Sequence, residues 1–484
     1  MKRLVFLLLT LTLAPVFCRA HSGKARFHIV VDTDGAADDL RALCMLLGNR
    51  DAEVLAIVTS DGAQEPARSA ACVGGLLRTF HHEGIPVGCG RPTCAEIPAW
   101  RSRTERTDWG ASSDSSDWPA APALLAETIE NEEEPVIAVA LGALTNLDDL
   151  LAARPTLKNR IARIIWYNDC SEPLASANYR ADPDAARRVL ASGIPTAIVS
   201  AAPGNPIPIT PALLDSIAAV GSPYARHIAA THRRPPLAHL IDERHLQAWD
   251  DLAALYLFAP ELFNHRQQTP TVTTCTLHDP SETTFCCATL AVLRGRPDTE
   301  SRVFYGFPTS AACYAPDVEP IMAQAQALYG PSEWRAAVLT NELHGHLGIY
   351  ATIGVKMGIR AREYFNIGVD DIEATTYAGC RPPVSCMNDG LQVGTGATVG
   401  HGLLHVAQCD PPRPEALFCF KGKTIRLRLK PEYAARIRRD VQRGIELHGA
   451  QTEKYWQYIR ALALQYWLEF DRHEVFDLET VETK

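Results

Sequence analysis

The sequence predicts an α/β fold with a mostly parallel sheet and helices on both faces, followed by a second, smaller α+β domain. Strand-like apolar runs alternate with helical stretches from residue 25 to about 200, which is the pattern of a parallel sheet. The alternation weakens between about 265 and 330, and a new compact pattern begins near residue 333. A chain of 484 residues is long enough for two or three domains. We therefore predict one domain over residues 25–330 and a second over 333–484.

The first predicted unit is a strand, an acidic turn and a helix within HIVVDTDGAADDLRALCMLLG, residues 28–48. β-Branched and aromatic residues indicate a buried strand, and Gly35 with two alanines indicates a tight turn. Apolar residues then recur at helical spacing from Leu40, and Gly48 can end the helix. The turn therefore places an acidic cluster at the carboxyl end of a strand, where open α/β sheets bind ligands. Its members are Asp32, Asp34, Asp38 and Asp39.

This acidic cluster has two interpretations. A helix dipole favours the two aspartates in the first helical turn by about 0.3–1 kcal/mol, which does not offset the repulsion among four close carboxylates. A hard divalent cation with oxygen ligands would offset that repulsion. The alternative is a solvated acidic loop that caps the helix. We favour the cation because the cluster is confined between a strand and a helix.

Further strands are predicted along the first domain, over residues 53–60, 135–142, 163–168 and 195–200. Helical stretches separate them, among them residues 65–80 and 182–191. The polar stretch 104–122 is rich in Ser and Asp and predicts a long surface loop near the carboxyl end of the sheet. In the second domain, the tail over residues 431–470 has a helical pattern.

The composition indicates a globular protein, and the net charge of −9 argues against nucleic acid as a partner. Residues 1–20, MKRLVFLLLTLTLAPVFCRA, have a basic start, an apolar core and a small-residue end. This pattern predicts a signal peptide cut after Ala20 and an exported protein, periplasmic or extracellular. Phe17 before Cys18 disfavours a lipoprotein. No later apolar run is long enough to form a transmembrane segment.

Three motifs follow the acidic turn in order. They are AVALGALTNLDDLLAARP (138–155), SANYRADPDAARRVLASGIP (176–195) and WDDLAALYL (249–257). Together with the spacing D-x-D-x-x-x-D-D, this set resembles the inosine–uridine-preferring nucleoside hydrolase family over roughly residues 26–325. The resemblance implies that family's fold, hydrolysis of the N-glycosidic bond of a ribonucleoside, and a bound calcium ion.

The resemblance also assigns the metal site and the general base. The calcium ligands here would be Asp34, Asp39, the backbone of Thr145, and Asp250. Asp34 would take the proton of the attacking water as the catalytic base, and Asp32 would support the ligands. From the residues alone, Thr145 and Asn146 could instead cap the helix that follows them, and Asp250 could be a helix N-cap.

The substrate contacts are assigned in the same way. Asp38 and Asn178 would hold the ribose 2′ and 3′ hydroxyls, although from the residues alone Asn178 could be an ordinary turn residue. Two positions depart from the family pattern. Ser176 stands where a glutamate usually precedes the asparagine, and Trp249 stands where a histidine usually precedes the late aspartate. We expect Trp249 to contact the substrate, since an indole can stack on a base but cannot supply a proton.

The second domain carries NELHGHLGIYATIGVKMGIRA (341–361) and CMNDGLQVGTGATVGHGLL (386–404). Their spacing resembles the E-type subunit of formylmethanofuran dehydrogenase over about residues 335–470. The resemblance implies a zinc-like site with the ligands His344, His346 and Cys386, lined also by Asp389 and Gln392. From the residues alone, the histidines could be polar residues at a helix start. Cys386 could equally form a disulfide with Cys380 or Cys409.

These observations support two functional hypotheses. The first is an exported, calcium-dependent N-glycosidase that hydrolyses a ribonucleoside or related ribosyl compound and carries an appended metal-binding domain. The second is a non-catalytic protein that binds ribose or a polyol in the same pocket, with a second domain that senses a metal or pairs subunits. Retention of the base Asp34 favours the enzyme. We expect a small-molecule nucleoside as the partner, no nucleic acid, and a homo-oligomer.

Overall fold

The computed structural model describes residues 25–93, 97–110, 112, 117–168, 176–201, 204, 206–295, 303–304, 306–369 and 371–481. The signal-peptide prediction for residues 1–20 lies outside these residues. Within the described residues, every helix is too short or too polar to cross a bilayer.

Eight strands form the sheet of the N-terminal unit, which spans residues 25–295 as far as they are described. They are β1 (Phe27–Thr33), β2 (Ala52–Thr59), β3 (Val87–Cys89), β4 (Val136–Ala140), β5 (Ile161–Tyr167), β6 (Thr196–Ser200), β7 (Phe263–Gln267) and β8 (Val272–Leu277). Their order is β3-β2-β1-β4-β5-β6-β8-β7. All neighbours pair in parallel except β7 and β8, which are antiparallel. The predicted mostly parallel sheet is confirmed.

Helices cover both faces of this sheet. They are α1 (Ala37–Gly48), α2 (Pro66–Thr79), α3 (Arg101–Thr104), α4 (Ala121–Asn131), α5 (Thr145–Ala153), α6 (Ala177–Ala181), α7 (Pro183–Leu190), α8 (Pro211–Ala219), α9 (Pro223–His232), α10 (Leu237–Asp242), α11 (Asp251–Phe258) and α12 (Glu282–Arg294). Alternate residues of β1 enter two separate hydrophobic cores, Ile29 and Val31 in one and Val30 in the other. Because successive side chains of a strand point to opposite faces, the central strand is buried on both sides.

The C-terminal unit, residues 318–481 as far as they are described, has its own sheet and its own core. Its strands are β9 (Glu373–Thr376), β10 (Leu404–Val406), β11 (Glu415–Phe420), β12 (Lys423–Leu429) and β13 (Phe476–Val481). Their order is β10-β9-β11-β12-β13, and only β10 and β9 pair in parallel. Its helices are α13 (Glu319–His344), α14 (Ile349–Phe365), α15 (Met387–Thr395), α16 (Pro431–His448) and α17 (Glu453–Glu469). The predicted smaller α+β unit is confirmed.

Two glycines set element boundaries that the sequence pattern did not reveal. Helix α13 is interrupted at Gly330, whose φ of 84° is outside the helical region. Met322 and Ala325, which precede this break, pack into the core of the C-terminal unit. The helical tail over residues 431–470 is two helices, because Gly449, with φ 77°, ends α16 and the side chain of Thr452 caps α17.

The two units contact each other through direct polar interactions. The backbone N–H of Gly84 donates to the carbonyl of Tyr364 at 2.8 Å, and Asn366 Nδ2 donates to the carbonyl of Leu47 at 3.2 Å. Leu47 lies near the C-terminal end of α1, whose N-terminal end carries the acidic turn. The C-terminal unit therefore holds one end of the helix that supports the predicted site.

Candidate active site

A cavity of about 530 Å³ opens where the carboxyl ends of the parallel strands meet. Its lining includes Asp34 and Asp38 after β1, Gly62 after β2 and Tyr167 at the end of β5. This is the edge of an open α/β sheet that binds ligands, and the volume is in the range of small-molecule sites.

The aspartates of the turn are buried, so they do not form a solvated loop. Asp39 is completely buried, and Asp32, Asp34 and Asp38 are 4–6% exposed. Asp39 Oδ1 accepts hydrogen bonds from Thr33 Oγ1 at 2.5 Å and from the backbone N–H of Asp34 at 3.1 Å. Its Oδ2 accepts from the backbone N–H of Ala36 at 3.1 Å. Asp39 therefore closes the turn onto the start of α1.

Asp34 is held at the base of the cavity by two backbone segments. Its Oδ2 accepts from the N–H of Ala63 at 3.0 Å, and its carbonyl accepts from Ser69 Oγ at 3.0 Å. A Cβ at position 62 would lie 2.2 Å from Asp34 Oδ2, so Gly62 is required for this approach. The carboxylate is fixed in the cavity wall.

Asp32 lies behind the other aspartates and has an amide partner. Asn146 Nδ2 donates both to Asp32 Oδ2 and to the carbonyl of Thr59, each at 3.0 Å. Asn146 thus ties the strand ends of β1 and β2 to helix α5, which it does from inside the helix rather than as a cap.

Asp250 completes the acidic cluster from a distant part of the chain. Carboxylate oxygens of Asp38, Asp39 and Asp250 all lie within 4.8 Å of one another. Asp250 stands at the N-cap position of α11, but its side chain makes no cap hydrogen bond, and its Oδ1 is buried without a hydrogen-bond partner. Three converging carboxylates with an unsatisfied oxygen fit a hard divalent cation.

Electrostatics support the same interpretation. Burial raises the pKa of Asp34 to about 6 and the pKa of Asp32 to about 7. Burial and the neighbouring carboxylates raise the pKa of Asp39 and of Asp250 well above the usual range. A bound cation would favour the ionised carboxylates and release their protons.

A buried ion pair fixes the position of Asp250. Arg41 on α1 donates from Nε and from Nη2 to the two carboxylate oxygens of Asp251, both at 2.7 Å. Arg41 also contacts His232 Nε2 at 2.9 Å and donates to the carbonyl of Gln247 at 2.9 Å. The side chains of Arg41 and Asp251 are 2% and 1% exposed. This pair joins the start of α11, and with it Asp250, to the helix that carries Asp38 and Asp39.

Asn178 lies in the cavity wall with a defined orientation. Its Nδ2 donates to the carbonyls of Leu141 at 2.6 Å and Tyr167 at 3.1 Å. Because both partners are acceptors, the amide nitrogen must face them. Asn178 Oδ1 has no partner among the described residues, so it is available to accept a ligand hydroxyl. The ordinary-turn alternative does not explain this buried position inside α6.

The remaining predicted residues of this site divide into two groups. Asp38 and Trp249 line the cavity beside Asp34, Asn178 and Asp250. Thr145 does not line the cavity, and its hydroxyl donates to Asp182 Oδ2 at 2.9 Å. Thr145 is the first residue of α5 and not its cap. The role of its carbonyl stays a prediction, as do the roles given to the other residues.

The second predicted site is partly assembled in the C-terminal unit. His344 Nδ1 contacts Asp389 Oδ2 at 2.7 Å, and His344 Nε2 is buried without a partner. The rings of His344 and His346 have centroids 4.4 Å apart. Cys386 is a free, half-buried thiol, and burial followed by the charge of Asp389 raises its pKa.

Not all of the predicted residues of this second site converge. Among the described residues, His344, His346 and Cys386 do not form a group whose ligand atoms all lie within 4.8 Å of one another. Gln392 Oε1 accepts from the backbone N–H of Val399 at 3.2 Å and so holds the glycine-rich loop. The cysteines of the disulfide alternative, Cys380 and Cys409, are also free thiols.

Several residues at the first site were missed by sequence reasoning. They are Arg41, Asn146 and Asp251 around the carboxylates, and Arg103, Arg180 and His245 in the cavity lining. The one available signal was Arg41, a charged residue within the otherwise apolar face of a short helix. The others gave no local pattern.

The model of the family described as inosine-uridine preferring nucleoside hydrolase matches residues 29–303, more than half of the chain. The chain belongs to the inosine-uridine preferring nucleoside hydrolase family. A second family model, described as FmdE of the molybdenum formylmethanofuran dehydrogenase operon, matches residues 343–477. Both resemblances seen in the sequence are confirmed, and the site at the strand ends is that of a nucleoside hydrolase-like N-glycosidase that acts on ribonucleosides.

Individual relatives agree with this assignment. The pyrimidine-specific ribonucleoside hydrolase RihA of Salmonella schwarzengrund is 30% identical over 218 residues, which are 42% of this chain and 68% of that protein. RihA of Shewanella baltica is 29% identical over 255 residues, 49% of this chain and 79% of that protein.

Solved structures of nucleoside hydrolases are also similar to this chain. The plant nucleoside hydrolase PpNRh1 has 19% identity and a TM-score of 0.46, covering 56% of this chain and 100% of that one. The purine-preferring ribonucleoside hydrolase from Gardnerella vaginalis has 16% identity and a TM-score of 0.46, covering 55% and 99%.

Proposed function

We propose that this chain is an exported, calcium-dependent ribonucleoside hydrolase whose C-terminal unit binds a transition metal. The observation that carries the calcium dependence is the convergence of Asp38, Asp39 and Asp250 within 4.8 Å, with Asp250 Oδ1 buried and unpaired. Oxygen ligands alone surround this point, which suits a hard ion such as calcium rather than zinc.

The residues of the cavity have separate tasks in this proposal. A bound calcium ion would supply the charge that lowers the pKa of an attacking water. Asp34, fixed against Ala63 N–H at the cavity base, accepts the proton of that water. Asp38 and Asn178 Oδ1 accept hydrogen bonds from the ribose hydroxyls, and Trp249 packs against the base. Attack at C1′ passes through an oxocarbenium-like state, as in other glycosidic hydrolysis.

We expect calcium to be required for both stability and turnover. Purified protein should bind about one calcium per chain at the cluster, and calcium at about 100 times its Kd should stabilise the fold by about 2.7 kcal/mol. Chelation should lower the melting temperature and stop the release of reducing sugar from uridine or cytidine. These pyrimidine nucleosides come first because the related RihA proteins are named pyrimidine-specific.

The matched variants are Asp250→Asn, which removes a predicted ligand, and Asp184→Asn, which changes an exposed aspartate paired with Arg187. Only Asp250→Asn should lose calcium. A protein that hydrolyses nucleosides equally well without calcium would contradict the calcium dependence. Calcium binding with no hydrolysis of any nucleoside would instead favour the polyol-binding hypothesis.

The export proposal rests on residues 1–20, whose basic start, apolar core and small-residue end suit a cleaved signal peptide. The calcium proposal is compatible with export, since exported proteins meet calcium concentrations that suit weaker sites.

The role proposed for the C-terminal unit rests on the contact between His344 and Asp389. A histidine that binds a metal through one ring nitrogen commonly contacts a carboxylate through the other. His344 has this arrangement, because Asp389 holds Nδ1 while Nε2 is buried without a partner. His346 and Cys386 would supply further ligands, and imidazole with thiolate suits zinc or a similar ion.

We expect about one zinc per chain at this second site. His344→Ala and Cys386→Ser should remove it, and Asp389→Asn should lower the zinc affinity by about 10–100-fold because it acts through His344. Elemental analysis of the full-length protein separates this zinc from the calcium of the first site. Cys380→Ser, a change at an exposed free thiol, is the control and should leave the zinc content unchanged. A zinc-free protein, or a disulfide at Cys386, would refute the site.

A further inference from the structure

The charged residues around the hydrolase cavity are segregated by sign. The carboxylates in its lining, Asp34, Asp38 and Asp250, are only 4–6% exposed and form the floor. The exposed ionisable residues in the lining are all basic and form the mouth. They are Arg103, Arg180 and His245. A basic mouth is unusual on a chain whose acidic residues outnumber Lys and Arg by 56 to 47.

The acids near Arg103 are engaged with a neighbouring arginine. Asp61 and Glu105 both contact Arg101, and Arg103 itself forms no ion pair within the part of the chain that the structure describes. The protein's own carboxylates therefore do not neutralise the charge that Arg103 brings to the mouth.

The two arginines reach the cavity from different parts of the sheet. Arg103 is on α3, which follows β3, and Arg180 is on α6, which follows β5. These strands stand on opposite sides of β1, whose end carries the acidic turn. Arg180 lies two residues after Asn178, the predicted ribose contact, whereas Arg103 is near Trp100, an indole in the same lining.

We propose that the substrate of this cavity is a ribosyl compound that carries an anionic substituent, and that Arg103 and Arg180 bind that substituent. The proposal rests on the proposed function, in which the floor holds calcium and the ribose hydroxyls. A guanidinium binds phosphate or carboxylate through paired hydrogen bonds, which a neutral nucleoside would leave unused. The anion is a phosphate on the sugar or a carboxylate on the base.

The chemical step is unchanged by this substituent. Hydrolysis breaks the bond between C1′ and the base nitrogen, and the oxygen of water joins C1′. One proton of that water is taken up at Asp34 and the other stays on the new sugar hydroxyl, while the base leaves with a proton from solvent. The products are a free base and a ribose, one of which keeps the anionic group.

Binding of sugars tests the inference without turnover. In calorimetric titrations of the full-length protein with calcium, ribose 5-phosphate should bind about 10-fold or more tightly than ribose if the anion is on the sugar. Arg180→Gln should bring this ratio towards one. Arg106→Gln changes an exposed arginine of the same segment as Arg103 that does not line the cavity, and it should leave the ratio unchanged.

Kinetics identify which anion is bound. The ratio of kcat/KM for uridine 5′-monophosphate to that for uridine reports a sugar phosphate, and the ratio for orotidine to uridine reports a base carboxylate. One of these ratios should be about 10 or more and should fall in Arg103→Gln or Arg180→Gln. Neutral compounds preferred in both assays would overturn the anion site while leaving the hydrolase proposal intact. A preference for ribose 5-phosphate without hydrolysis of any nucleoside would overturn the hydrolase proposal and leave the anion site.

Discussion

The Asp34→Asn variant is expected to lose nucleoside hydrolysis by a factor of about 10²–10⁴ in kcat, because the substitution removes the proton acceptor for the attacking water. The amide keeps the size of the carboxylate, and its oxygen can still accept from Ala63 N–H as Asp34 Oδ2 does. The fold should therefore be retained. The measurement is the initial rate of reducing-sugar release at saturating nucleoside and calcium.

Two measurements separate a lost base from a lost metal. Calcium titration of Asp34→Asn shows whether the rate was measured on calcium-loaded protein, and the melting temperature reports the fold. Asp184→Asn, on the exposed surface of α7, serves as the control and should retain the parent rate. An Asp34→Asn variant that hydrolyses nucleosides at the parent rate would show that another group is the base.

The parts of the fold that the sequence predicted are those with a local signal. Strand β1, the tight turn and helix α1 follow one another within 22 residues, and each has its own residue pattern. The position of Asp34 and Asp39 at a strand end followed from that short segment. The class of metal also followed, since four close carboxylates need a hard cation whatever the rest of the chain does.

Contacts between distant segments left no such signal. Arg41 and Asp251 are 210 residues apart in the sequence, and no periodicity in either segment predicts that they meet. The order of the motifs suggested Asp250 as a ligand, but only the packing of α11 on α1 places it beside Asp38. The glycine break in α13 was hidden for another reason, since the residues that follow Gly330 and Pro331 continue an ordinary helical pattern.

The same distinction explains the C-terminal unit. His344 and His346 are two residues apart, so the sequence alone predicted that their side chains lie close together. Cys386 comes from a segment about 40 residues later, and its distance from the histidines depends on how α15 packs against α13. Gln392 was expected in the site and instead holds the loop at Val399, because its length reaches the backbone that follows its own helix.

Loss of the Arg41–Asp251 pair is expected to be the most destabilising single change near the hydrolase site. Arg41→Met keeps the volume of the side chain but leaves Asp251 as an uncompensated buried carboxylate, since both side chains are at most 2% exposed. Breaking a buried pair in this way costs about 3–5 kcal/mol of unfolding free energy. It also removes the hydrogen bond to the carbonyl of Gln247.

The effect should extend to calcium, because Asp251 is next to Asp250 at the start of α11. When α11 is no longer tied to α1 by the ion pair, Asp250 loses its fixed position beside Asp38 and Asp39. We therefore expect Arg41→Met to weaken calcium binding although Arg41 touches no predicted ligand oxygen. Denaturant unfolding with and without calcium measures both effects.

Two further variants make this prediction specific. Arg187→Met breaks an ion pair whose side chains are 62% and 70% exposed, and it should cost no more than about 1 kcal/mol. The double variant Arg41→Met/Asp251→Leu removes both buried charges, so it should recover much of the stability lost in Arg41→Met. If Arg41→Met is as stable as Arg187→Met, the pair does not hold α11 against α1. Recovery of stability without recovery of calcium affinity in the double variant would show that the pair's contribution to the site is to position Asp250, beyond its contribution to the fold.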